Sequence, residues 1–169
     1  MKPGDIFEFQ LGSDIERLVD KLESDGVVFA EPATSILNQT EKSPSRKCRV
    51  IVLDLNALGF SMIEENRKII EKGLSDGYKL CHPEVALHLR SALSPEIEEI
   101  YVHVAMKGVF VRGSELSVLS VCNNDVSVDI DELDIRLEVT VEILAWAQST
   151  GRTQEEKSLS NVLWVFELE

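Results

Sequence analysis

The sequence predicts an α+β fold, a mainly antiparallel sheet with two or three helices packed on one face, and three observations carry that prediction. Residues 133–143 alternate apolar and polar side chains with a period of two. Two stretches in the first half, 13–24 and 61–74, place their apolar residues at helical spacing instead. Between and after them come short runs rich in branched apolar residues, separated by glycine and asparagine.

Taken in chain order, Ser13 to Ser24 sets Ile15, Leu18, Val19 and Leu22 on one side, with Gly26 placed to end the helix. Val27 to Ala30 reads as a short strand. Residues 31–47, EPATSILNQTEKSPSRK, hold two prolines, three serines and two threonines, and this composition predicts a surface loop. Arg49 to Leu55 (RVIVLDL) is short and apolar enough for a buried strand.

In LGFSMIEENRKIIEKG, Ser61 and Glu64 have the spacing of a capping box, and Lys68 and Lys72 fall toward the C-terminal end, as the helix dipole favours. Ile63, Asn66, Ile70 and Leu74 share a face that Ile69 borders, and Gly73 and Gly77 are the candidate stops. A short helix follows from Pro83, whose missing N–H costs nothing in a first turn. Ile100 to Met106, Val109 to Arg112, Leu116 to Cys122 and Val126 to Ile130 then read as strands, with Gly108, Gly113 and Asn123-Asn124 as turn material.

In the long alternating segment, Leu133, Ile135, Leu137, Val139, Val141 and Ile143 take one face, and Asp134, Arg136, Glu138, Thr140 and Glu142 take the other. One face buries while the other is acidic and wet. Asn161 to Leu168 is expected to return as the last strand and to pair with the long one as a hairpin. Trp146 and Trp164 are read as core residues.

The chain of 169 residues is 44% hydrophobic and 28% charged, which fits one domain, 1–169, and argues against intrinsic disorder. No apolar run approaches the roughly 20 residues that span a bilayer. The N-terminus lacks a basic start followed by an apolar stretch, so a cytoplasmic location without membrane association is expected. Cys48, Cys81 and Cys122, odd in number and widely spaced, read as reduced thiols.

The net charge is −13, and its distribution matters more than its size. Residues 91–169 carry fifteen acids against five bases, so ten of the thirteen excess negative charges lie there. Such a surface repels phosphates, which argues against direct nucleic-acid or anionic-membrane binding, and it attracts basic partners.

The stretch YKLCHPEVALHLRSAL, residues 78–93, concentrates reactive residue types and supplies the catalytic candidates. His82 and His88 are six residues apart, about 120° around a helix, so they lack the i, i+4 geometry of a metal-binding helix. Cys81 could act as a nucleophile only if a base such as His103 stood beside it. His103, alternating with apolar neighbours in IYVHVAM, is expected to face solvent. Glu84 favours the start of its helix. Arg90 ends the leucine-lined segment and could pin a carboxylate, most simply as a structural ion pair. No catalytic residue is assigned; Cys81, Glu84, Arg90 and His103 are the candidates.

Asp129, Asp131 and Asp134 invite a divalent-cation reading. An EF-hand loop starting at Asp129 would, however, need an oxygen ligand at Leu133, glycine at Asp134 and glutamate at Thr140. The match fails, and no metal or cofactor is assigned. P-loop, GxGxxG, GxSxG and CxxC patterns do not occur either.

Leu58-Gly59-Phe60, Gly77-Tyr78-Lys79-Leu80-Cys81, Glu84-Val85, Leu89-Arg90, Tyr101 to Met106 and Leu163 to Leu168 run in an order that resembles a family of small uncharacterised bacterial proteins. Its members show Leu-Gly-Phe, Gly-Leu-x-Leu-Cys-Pro-x-Glu, Leu-Arg-Leu, a strand ending Ile-Ala-Met and a closing Trp-Val-Phe. Here proline falls at Pro83 rather than directly after Cys81, and Ser91 and Leu93 stand where the family has leucine and tyrosine. The resemblance implies that Cys81, Glu84 and Arg90 belong to a recurring framework, and it carries no activity with it.

The functional expectation is a non-enzymatic protein-binding or regulatory module whose acidic sheet face engages a protein partner, a basic one by charge complementarity. Two alternatives stand beside it: a small enzyme using Cys81 or Glu84 with Arg90 in a cleft between helix and sheet, and an acidic nucleic-acid mimic that inhibits a DNA-binding protein.

Overall fold

The structure, a computed structural model, describes residues 1–62, 64–93, 101–111, 114–122, 125–130 and 162–169. Its elements run β1 (Ile6–Leu11), α1 (Ile15–Ser24), β2 (Val28–Phe29), α2 (Glu31–Asn38), β3 (Arg46–Asp54), α3 (Asn66–Ser75) and α4 (Glu84–Ala92). Five strands complete them: β4 (Tyr101–Val104), β5 (Val109–Val111), β6 (Ser114–Cys122), β7 (Asp125–Ile130) and β8 (Val162–Glu167).

All eight strands share one sheet in the order β1-β3-β8-β4-β6-β7-β2, with β5 pairing onto β6. The pairings are antiparallel except β4 with β8 and β2 with β7. The α+β class with a mostly antiparallel sheet is therefore what the chain adopts.

The last strand does not pair as the sequence suggests. β8 lies in the middle, antiparallel to β3 (Val52 opposite Val165) and parallel to β4 (Val102 opposite Leu163). Where β4 ends, Lys79 takes over that edge: its N–H donates to the Glu167 carbonyl, and the Glu167 N–H donates back, both at 2.9 Å. Both edges of β8 are thus occupied, and the expected hairpin with 133–143 has no edge to use. Residues Leu163 to Glu167 are all buried, as befits a central strand covered on both faces. The alternating segment itself, with Trp146, lies outside the described residues.

Opposite partners in a sheet share a face, so the registers sort the side chains. Phe9 is opposite Cys48, and Phe166 is opposite Ile51. Cys48 and Ile51 are three residues apart on β3, so Phe9 and Phe166 point to opposite faces. α4 covers the Phe9 face, where the His88 ring stacks on Phe9 with centroids 5.4 Å apart. α1 packs against α4, and α2 against α1 and β7. α3 lies on the other face, over Phe166: a Cβ added at Gly73 would come within 2.2 Å of that ring. Gly73, expected to stop the helix, is instead buried within it to admit Phe166, and the helix ends beyond it.

Two further expectations are corrected. Residues 31–38 form α2 rather than surface loop, because Ala33, Ile36 and Leu37 recur at helical spacing and bury, and Pro32 is tolerated in the first turn. Only 39–45 remain irregular, since β3 already begins at Arg46. The capping box is not used: α3 starts at Asn66 with Glu65 as its N-cap, so Ser61 lies ahead of the helix, and Glu64 instead pairs with Lys68 at 2.9 Å.

The sequence offered a signal at the N-terminus that composition hides. In IFEFQL the apolar Phe7, Phe9 and Leu11 alternate with Glu8 and Gln10, and this is β1.

Candidate functional site

The residue types concentrated in 78–93 meet the N-terminal strand here. The chain leaves β1 at Gly12, whose φ of +97° suits glycine and whose missing side chain is required, since a Cβ would sit 2.7 Å from Ser45 Cα. This tight turn directs two successive backbone N–H groups at the start of α4. Gly12 N–H donates to Glu84 Oε2 at 3.0 Å, and Ser13 N–H donates to Oε1 at 2.9 Å. His88 Nε2, one turn along α4, donates to Oε1 at 3.2 Å. The Glu84 side chain is wholly buried.

Burial alone would push the Glu84 carboxyl up, but the Gly12 and Ser13 amides and His88 outweigh it and hold the group below its ordinary 4.5. Glu84 is therefore an ionised carboxylate enclosed by donors. It ties two segments about seventy residues apart in sequence.

His82 is fixed by its neighbours too. Its Nε2 lies 3.0 Å from the Glu41 carbonyl oxygen, which can only accept, so Nε2 carries the hydrogen. Nδ1 is then the acceptor for the Glu84 N–H at 3.2 Å. The 3.9 Å approach of Nδ1 to Glu84 Oε2 consequently brings two acceptors together and is not an ion pair in this tautomer.

Cys81 is 4% exposed. Its N–H donates to the Ala105 carbonyl at 2.7 Å and its thiol to the Val165 carbonyl at 3.4 Å. Burial, aided by the nearby Cys48 and Glu167, pushes this thiol well above its ordinary value, the reverse of what a nucleophile needs. The structure does not bring His103 to it as a base. His103 lies on β4 between Trp164 and Ser120, its direct partners on β8 and β6. At 7% exposure it is buried rather than solvent-facing, tilted against the Trp164 ring at 5.1 Å, because the face it occupies is covered. In that row Ser120 Oγ and Trp164 Nε1 are buried polar atoms with no hydrogen-bond partner among the described residues. Arg90, near the end of α4, is buried and engaged.

A second buried carboxylate escapes sequence reasoning. Arg46, at the start of β3, binds Glu167 of β8 with both terminal nitrogens: Nη1 meets Oε1, and Nη2 meets Oε2 at 2.8 Å. Burial works against ionisation of Glu167, but Arg46 prevails and holds it below its ordinary value. Cys48, two residues from Arg46, is pushed up to about 12 by burial and by Glu167. Cys48 and Cys81 are both free, buried thiols. The only sequence hint was the charge pattern itself, a glutamate in an otherwise apolar closing strand.

Among the described residues no cluster of three or more histidine, cysteine or acidic side chains could hold a metal, and no helix is long and apolar enough to cross a membrane. Of Asp129 only the backbone is described, in β7, and Asp131 and Asp134 lie outside the described residues. Comparison with protein-family models, with curated proteins and with solved structures gives no match.

Proposed function

We propose that the protein is a non-enzymatic binding module that engages a basic protein partner through its acidic surface. The observation that carries this reading is the charge asymmetry, with ten of thirteen excess negative charges in residues 91–169. Opposed charge accelerates encounter and selects partners of the other sign. The geometry of two of the catalytic candidates supports the same reading. Glu84 spends its oxygens on backbone amides, and Cys81 is a buried thiol held protonated.

The test is fluorescence anisotropy with defined lysine- and arginine-rich peptides, from about 0.05 to about 0.5 M salt. Binding at low salt that weakens about tenfold or more across that range is expected. Failure to bind any basic peptide, or binding indifferent to salt, overturns the proposal. Alkylation of Cys81 in a variant lacking Cys48 and Cys122 provides the complementary check. Fast labelling of the folded protein with a midpoint well below the ~8.5 of a free thiol would instead favour a cysteine enzyme.

A further inference from the structure

The turn between β1 and α1 and the loop between α2 and β3 are both tied to the start of α4. Glu84 holds the turn through the Gly12 and Ser13 amides, and His82 holds the loop through the Glu41 carbonyl. With the adjoining ends of α1 and α2 these two segments form the walls of an open groove, with Ser13, Asp14 and Glu16 on one side and Asn38, Thr40 and Lys42 on the other.

In its present tautomer His82 accepts at Nδ1 and can gain a proton only by giving that role up. A proton arriving there removes the acceptor for the Glu84 N–H. It also places a cationic donor 3.9 Å from Glu84 Oε2, the oxygen now bonded to the Gly12 N–H. We propose that His82 is an acid-operated switch: once protonated at Nδ1, it draws Glu84 Oε2 off the Gly12 amide and loosens the turn that forms one wall of the groove. The Nε2 bond to Glu41 survives, because that nitrogen remains a donor, so the two walls respond unequally.

The surrounding groups are consistent with a local event. On α4, His88 already donates to Oε1, and a proton on its other nitrogen strengthens that bond. Asp14 caps α1 and Glu16 and Arg17 stand in its first turn, with Glu41 and Lys42 on the loop. β1 contributes the uncharged Phe9, and β3 brings Cys48 opposite it. Histidine is the side chain that changes charge between pH 5 and 8. Glu84, held below 4.5, remains ionised throughout that window and available to the new donor.

The experiment follows the amide resonances of Gly12, Ser13 and Glu84, with the ring resonances of His82 and His88, from about pH 7.5 to about pH 5.5. The Gly12 and Glu84 amides should move in step with the His82 ring. Protection of the Gly12 amide from exchange, corrected for intrinsic rates, should fall about tenfold, with Ser13 changing less. His82→Asn keeps a side-chain acceptor without the titration and should abolish the response, whereas His88→Gln should retain it. A Gly12 amide that stays still while the His82 ring titrates overturns the switch, as does a response that persists in His82→Asn. If either variant fails to fold, the titration of the unaltered chain decides alone.

Discussion

Glu84 and Glu167 are both buried carboxylates held ionised below their ordinary value, yet they are held in different ways. Glu84 is enclosed by two backbone N–H groups and a histidine, and its side chain is 0% exposed. Glu167 is held by one guanidinium, and that Arg46 side chain is 40% exposed. A carboxylate clamped by backbone is bound to the fold itself, since its donors cannot swing away without moving the chain. One clamped by a half-exposed arginine rests on a side chain that water and salt can reach.

Truncation breaks this comparison most directly. Glu84→Ala leaves the Gly12 and Ser13 amides without their acceptor, and a cost of about 3 kcal/mol in chemical denaturation is expected. Glu167→Ala should cost less, about 1–2 kcal/mol, because Arg46 can turn to solvent. Equal costs would mean that the two sites do not differ as described.

Acid should act on both in the same direction. Each group has a folded value below 4.5, so its contribution is fully present above the unfolded value and is lost as pH falls through the folded one. Stability measured by denaturant midpoint should therefore decline below about pH 4.5, and Glu84→Gln and Glu167→Gln should each flatten part of that decline. Salt should separate them: raising it from about 0.1 to about 1 M should erode the Arg46–Glu167 contribution by about 0.5 kcal/mol and leave that of Glu84 nearly unchanged. The smallest effect is the reference. Glu8 and Lys47 pair at 3.0 Å with both side chains exposed, and Glu8→Gln should change stability by less than about 0.5 kcal/mol.

How far these sites could be read from the sequence follows from the range of their contacts. Glu84 stood out because it opens a helix beside cysteine and histidine, but its two backbone partners lie 71 and 72 residues away, beyond any local pattern, and only His88 is within reach of one. Arg46 and Glu167 are 121 residues apart. The strands β3 to β7 were legible from short branched runs, since local periodicity reports which face is buried. Strand order was not: placing β8 at the centre depends on long-range pairing, and the expected hairpin misassigned it. α2 was hidden by two prolines and several hydroxyl residues that dominate composition but leave Ala33, Ile36 and Leu37 on one face. His103 was misread because alternation implies one wet face, and here both faces are covered.

The most direct test of the claim that these carboxylates serve the fold is a pH titration of the side-chain carboxyl carbons of Glu84 and Glu167 by NMR in the intact chain. Midpoints for both below 4.5, with that of Glu167 rising in Arg46→Met and that of Glu84 unmoved by that substitution, are the expected result. A Glu84 midpoint near ~6–7, the range of a working general acid, would contradict it and return Glu84 to the catalytic candidates.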